Sequence, residues 1–321
     1  MTVLRADMHV HTCYSRYNDN IPLLGARDCY SRPDAVYAVA KARGMDLVAI
    51  TDHDTIDGAL ALVERMPDAR DIIVGEEVSC WMPDLDVQVH LGVYGMTESL
   101  HHELQPLRRN VFDLVACLRE ASVFFALNHL LHFFEPHMSF DTYLRLLEAV
   151  PALEVRNGTM VPAHNRLSEQ IAAAWTPVHG GPRLAAVAGS DAHTLRRVGT
   201  TWTEAPGRDR DEFLSSVRSG FGRPGGRDGG LLAVSGDAYG VIRGYVASLA
   251  GIGQPDHSGW RRAACLVFAA LSLPFQVLPF AMTSKAKLRE RRRVRALGSW
   301  MSASPGWDSS ETSALTVEAL R

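Results

Sequence analysis

The chain has 321 residues, 46% of them hydrophobic and 21% charged, with a formal net charge of -3. That composition excludes an intrinsically disordered chain and argues against a general nucleic-acid coat, and it can bury the core of one large domain or two ordinary ones. Five dispersed cysteines without a CxxC pair exclude a disulfide framework or a thiolate zinc site as the organising feature, and the opening MTVLRADMHV lacks an apolar run of signal-peptide length, so a cytoplasmic protein is expected.

Short apolar runs alternate with helical patterns over residues 1–205. Strands are predicted at 6–10, 47–51, 72–74, 87–94, 123–127, 153–155 and 184–188. Between them, helices are predicted at 32–43, 107–121 and 140–149; the first has Ser31 where a cap belongs and Pro33 at the first turn. Repeated strand–helix units imply an α/β fold with a mostly parallel sheet, open or closed into a barrel, whose ligands bind at the carboxyl ends of the strands.

The pattern then changes. A short helix is expected at 211–219, and Gly220 to Gly230 is too rich in Gly, Pro and Arg for regular structure. A helix is predicted at 231–249. Residues 263–282 carry no charge and precede the basic SKAKLRERRRVRAL. Their length just suffices for a membrane span, but Pro274, Gln276 and Pro279 interrupt them, so the reading favours a buried helix ending near Leu273 or peripheral membrane contact through residues 260–295. A disordered tail is expected over 301–321. The domains are thus 1–205 (catalytic), 206–300 (a Gly-rich connection and mainly helical region) and 301–321.

Ionisable clusters stand where the predicted strands end. Asp7, His9 and His11 form Asp-x-His-x-His, in which alternate residues of an extended strand share one face. Further along come Thr51-Asp52-His53-Asp54, Gly75-Glu76-Glu77-Val78-Ser79, His90, Asn128-His129, Glu154-x-x-Asn157-Gly158 and Ser190-Asp191-Ala192-His193. One His-x-His pair is common by chance, and each cluster alone could be a cap or a turn. Their repetition at strand ends that a barrel brings together points to a site for divalent metals such as Zn, Mn or Fe, because imidazole and carboxylate are the donors those ions take.

With these motifs assembled, the segments ADMHVHT, AITDHDTIDG, VGEEVS, HLGVYG, NHLLH, LEVRNG and AGSDAHT resemble, in order, the PHP (polymerase and histidinol phosphatase) family over residues 5–203. The resemblance implies a distorted seven-stranded (β/α) barrel, two or three metals and phosphate-ester hydrolysis by metal-activated water. It implies His9, His11, Glu77 and Asp191 around a first metal, Glu77 bridging to a second held by His90 and His129, and His53 and His193 at a third. Asp52 is counted with the candidate ligands, and Glu76 competes with Glu77 for the bridge. The family's further ligand after the second motif histidine has no match in TCYSRYNDN, where Asp19 could serve only in a longer loop; the third site is thus left open.

Asp7, His193 and Asp54 are the candidate catalytic groups, and Arg156, Arg166 and Arg197 the candidate phosphate-binding cations, since guanidinium matches phosphate geometry. The expected substrate is a phosphorylated small molecule, a nucleotide or a short oligonucleotide. No stable nucleic-acid partner is expected. The competing readings are histidinol-phosphate phosphatase and a binding module with a weakened site.

Overall fold

Phe124–Leu127 and Leu47–Ile50 are buried at every position, as strands covered on both faces must be. The computed structural model describes residues 2–15, 25–83, 85, 87–132, 139–175, 183–252 and 259–303. Its strands are β1 (Val3–Asp7), β2 (Leu47–Ile50), β3 (Ile72–Trp81), β4 (Gln88–Tyr94), β5 (Phe124–Leu127), β6 (Ala152–Asn157), β7 (Ala185–Gly189), β8 (Thr201–Pro206) and β9 (Arg223–Gly226). They form one sheet in the order β7-β6-β5-β4-β3-β2-β1-β8-β9. Pairing is parallel from β1 to β3 and from β5 to β7, while β4 runs antiparallel to both neighbours.

The first seven strands curl into a nearly closed barrel. Past the strand ends, Val10 pairs with Ala192 as an isolated parallel bridge, and the Ala188 N–H donates to Thr203 Oγ1 at 2.8 Å. Gly189 makes this closure sterically feasible, because a Cβ there would lie 2.3 Å from His9 Cβ and 2.5 Å from His9 N. The expected seven-stranded barrel is therefore present with two additional strands, β8 and β9, on the free edge of β1, and the sheet runs beyond residue 205 to Gly226.

The stretch 220–230, expected to be irregular, contains β9. Its Pro224 lacks an N–H, which the outermost strand of a sheet tolerates. The helices are α1 (Pro33–Ala42), α2 (Asp57–Arg65), α3 (Glu98–Leu104), α4 (Val111–Glu120), α5 (Phe140–Ala149), α6 (Pro162–Ala174), α7 (Arg210–Ser216), α8 (Leu231–Leu249), α9 (Gly259–Leu271) and α10 (Val277–Ala303). Pro33 occupies the first turn of α1 as predicted, but the capping position is Arg32 and no side chain caps it, so Ser31 does not have the role read for it.

The apolar stretch 263–282 is two helices, α9 and the start of α10, broken at Leu273–Phe275 and bent by 52°. No single helix among the described residues is long and apolar enough to cross a membrane, although the bent pair passes on length and composition. The expectation of a buried helix fails, since in α9 only Cys265 is buried. Further along α10, Glu290, Val294, Leu297 and Met301 are buried. Their spacing of four, three and four residues makes one helical stripe, and its apolar members join the same core as Val78, Leu91, Phe125, Leu146 and Ile171. The expected disordered tail lies almost wholly in 304–321, outside the described residues.

Candidate metal centre

The hydrogen-bond ladder of β1, β2 and β3 continues past the strand ends and sets the level of the site. Thr51 N–H donates to Val10 O (2.9 Å), Glu77 N–H to Asp52 O (3.1 Å) and Asp54 N–H to Glu77 O (3.0 Å). His9, His11, His53 and Glu77 are thereby held at one end of the barrel. In β3 successive side chains alternate between faces. Glu77 points into the barrel mouth, while Glu76 meets His101 Nδ1 on the other side at 2.7 Å. Glu76 is thus remote from the bridging position.

The Glu77 carboxylate is the hub. Its Oε2 lies 3.1 Å from His9 Nε2, 3.4 Å from His11 Nε2 and 3.0 Å from His53 Nδ1. Its Oε1 lies 2.9 Å from His129 Nε2 and 3.3 Å from His90 Nδ1, and accepts from Asn128 Nδ2 at 2.9 Å. Asp191 Oδ1 is 3.4 Å from His11 Nε2 and 3.6 Å from His9 Nε2. Four sets of donor atoms fall within 4.8 Å of one another: His9–His11–Glu77, His53–Glu77–His90, His9–His129–Asp191 and His11–Asp28–His53–His193.

A divalent ion fits these donors. Nε2 of His9 and Nε2 of His11 face each other at 3.1 Å, an arrangement natural for two lone pairs aimed at one cation. Buried Glu77 Oε2 and Asp28 Oδ1 have no hydrogen-bond partner among the described residues, a costly state that coordination relieves. Burial alone would raise the Glu77 carboxyl, but His9, His53, His90 and His129 hold it well below the usual carboxylate range. Asp191 is likewise held low against its burial by His9, His11 and His193. His53 is driven well below the ordinary imidazole range by burial and by His11, His90 and His193, against the pull of Glu77. An imidazole kept neutral keeps its lone pair for a metal.

The surroundings orient these ligands. Glu154 Oε1 meets His9 Nδ1 at 2.8 Å, leaving Nε2 for the cluster, and Glu154 Oε2 accepts from His129 N and Asn157 Nδ2, each at 2.9 Å. Asn157 Nδ2 and Thr159 Oγ1 donate to Asp191 Oδ2 at 3.2 and 3.0 Å. Among the described residues, three of the four non-glycine positions with positive φ are at or beside the site: Asp54 (55°), His129 (28°) and Asp191 (51°). Such strained backbone gathers where a side chain must be aimed.

Several residues lie away from the positions their motifs suggested. Asp7 accepts from the backbone of Ser190 and Gly199, each at 2.7 Å, tying β1 to the segment after β7, and burial pushes its carboxyl up to about 6 against those bonds. Asp52 is absent from all four donor sets; its carboxylate accepts from Thr12 N and Oγ1, and burial pushes it up to about 7. Asp54 pairs with Arg108 at 2.5 Å and accepts from Ser79 N.

Of the candidate phosphate-binding arginines, Arg156 pairs with Glu169 at 2.8 Å, and Arg166 is exposed on α6. Arg197 is buried, donating to Gly158 O and facing Asp237. His193 does reach the cluster, with Nδ1 3.5 Å from Asp191 and Nε2 3.7 Å from Asp28.

Asp28 is the residue that motif spacing missed. Arg16, Tyr17 and Asp19, where a further ligand was sought, lie outside the described residues. Asp28 arrives from much later in the same connection, held by Ser15 Oγ at 2.9 Å. Also missed was a cavity of about 610 Å³ beside His193, lined by Tyr30, Arg32, Thr194, Arg196, Tyr239 and Arg243. Of the remaining histidines, His164 pairs with Glu290 at 3.0 Å, and His137, His179 and His257 lie outside the described residues.

Residues 162–221 match the family model described as PHP-associated. An uncharacterized protein of Methanocaldococcus jannaschii is 33% identical over 76 residues, 23% of this chain and 44% of that protein, so the chain spans less than half the length of that relative. Among solved structures, a two-domain protein from Bacteroides vulgatus, described as containing a predicted PHP-like metal-dependent phosphoesterase, is similar with TM-score 0.48 and 16% identity, over 70% of this chain and 65% of that one. PsfC from Pseudomonas syringae is similar with TM-score 0.48 and 21% identity, over 70% and 91%.

Proposed function

We propose that this chain is a PHP-domain protein and, on that premise, a metal-dependent hydrolase of small phosphate esters, nucleotides above all. The observation that carries the reading is the Glu77 hub, one buried carboxylate facing five imidazoles from four separate segments. His9, His11, Glu77 and Asp191 would hold one ion, Glu77, His90 and His129 a second, and Asp28, His53 and His193 a third. Zn, Mn and Fe suit this donor set. When bound, such ions lower the pKa of water and neutralise phosphoryl oxygens.

The chain supplies the rest. Glu154 keeps His9 Nε2 turned to the cluster, and Asn157 and Thr159 keep the Asp191 carboxylate in place. His193 belongs both to the outermost donor set and to the cavity wall. It is therefore placed between the donor cluster and a ligand held in that cavity. Arg32, Arg196 and Arg243 give that cavity a cationic lining, and its volume admits a nucleotide-sized ligand. The five cysteines are free thiols, which supports a reducing, cytoplasmic setting.

The test is a panel of nucleotides, bisphosphonucleotides, histidinol phosphate and short oligonucleotides assayed with Mn or Zn, alongside the metal content of the purified protein. Turnover is expected with nucleotides and is expected to vanish in His11→Ala and Asp191→Asn. A protein that carries the metals and cleaves nothing in the panel would sink the reading, as would full activity in either variant.

A further inference from the structure

The apolar turn between α9 and α10 is a surface that the metal centre leaves unexplained. Residues 263–282 contain no charged side chain. Val267, Phe268, Leu271, Leu273, Phe275 and Val277 are each more than half exposed. Neighbours such as Val267 and Phe268, or Val277 and the half-exposed Leu278, point about 100° apart around a helix. The exposure is therefore wider than the single stripe that a protein groove accepts: on α9 only a narrow face, with Cys265 and Ala269 against Tyr245 and Leu249 of α8, is covered.

Charge and length identify the occupant. Exposed Arg261 precedes the apolar stretch, next to Arg262, whose guanidinium donates to Leu249 O, and exposed Lys285, Arg289, Arg291 and Arg292 follow it. The sole Asp or Glu between residues 259 and 303 is Glu290, which is buried and paired with Lys287 and His164. An apolar tip with a cationic collar is complementary to an anionic lipid surface. At 1.5 Å per residue, the apolar part of α9 is roughly 13 Å long and that of α10 roughly 9 Å. This matches one leaflet of a hydrocarbon core about 30 Å thick and falls short of a span. The buried stripe at Glu290, Val294, Leu297 and Met301 meanwhile keeps the other end of α10 in the catalytic body.

We infer that residues 263–282 insert, turn first, into one leaflet of an anionic bilayer and hold the catalytic body at the membrane surface. The inference is independent of which ester is cleaved. It is tested with the full chain by co-sedimentation with phosphatidylcholine vesicles, with and without phosphatidylserine. Binding to the phosphatidylserine vesicles is expected. Phe275→Asp/Leu278→Asp should weaken it by about ten-fold or more, and Arg291→Gln/Arg292→Gln by roughly 25-fold at low salt, from about 1 kcal/mol per charge.

All four side chains are exposed, and melting temperatures measured alongside separate lost binding from lost fold. A protein that stays in the supernatant with both vesicle types overturns the inference, as does an aspartate variant that binds like the parent. A dimer in light scattering that the aspartate variant splits, without vesicle binding, would show that a second copy of the chain covers the turn instead.

Discussion

Glu77 and Glu154 grip the His9 imidazole from opposite sides, with Oε2 of Glu77 3.1 Å from Nε2 and Oε1 of Glu154 2.8 Å from Nδ1. One carboxylate shares the metal-facing nitrogen's space, and the other fixes the ring that presents it. Carboxylate–imidazole pairs behind a metal ligand raise its basicity and set its tautomer. Glu154→Gln should therefore weaken metal binding by about 10- to 100-fold while the fold is retained. Titration with Zn or Mn in a calorimeter reads this directly, and an unaltered affinity would show that Glu154 serves packing alone.

Asp28 completes the outermost donor set with His11, His53 and His193. Asp28→Asn should bind one ion fewer per chain than the parent and keep the ions centred on Glu77, whereas Glu77→Gln should lose more than one. Metal analysis by mass spectrometry of the dialysed proteins distinguishes the cases. Equal stoichiometry in Asp28→Asn and parent would remove Asp28 from the site.

Gly189 lies where β7 passes His9, and a methyl group there would sit 2.3 Å from the His9 Cβ. Both partners are backbone or first side-chain atoms, so the strain cannot be relieved by swinging a long side chain. Gly189→Ala should cost about 1–3 kcal/mol in urea denaturation and shift His9, weakening metal binding as well. A variant as stable as the parent would mean that the barrel seam is looser than its geometry indicates.

Glu290 anchors α10, accepting from Val161 N at 2.8 Å and pairing with His164 and Lys287. Burial opposes its charge, but these partners bring its carboxyl from 4.5 down to about 2. A depressed carboxyl contributes stability that is complete above its unfolded value and is lost as the pH falls through its folded one. Its contribution, on the order of 3 kcal/mol, is thus present at pH 7 and fades between about pH 4.5 and 2. The gap in melting temperature between parent and Glu290→Gln, followed from pH 7 to pH 3 without metal, should be wide at first and narrow below about 4.5. A gap independent of pH would refute the assignment.

What the chain reveals locally is the set of parts. Buried strands read as apolar runs and half-buried helices as stripes, so the seven barrel strands and the helices at 140–149 and 231–249 were legible, as were the histidine and carboxylate motifs at the strand ends. Strand β9 escaped notice because Arg223-Pro-Gly-Gly has no apolar pattern and pairs through its backbone with Thr201–Glu204.

The allocation of roles was decided in three dimensions. Nothing near Asp28 in sequence marks it as a partner of His53 and His193, and nothing near Asp52 marks it as a hydrogen-bond acceptor for Thr12. Arg197 was a reasonable phosphate ligand until the fold buried it against Gly158. Likewise, only packing determined that most of residues 263–282 would lie uncovered. Periodicity is a property of neighbours along the chain, whereas a site is made by residues whose spacing depends on barrel closure, and that closure rests on contacts such as Gly189 against His9.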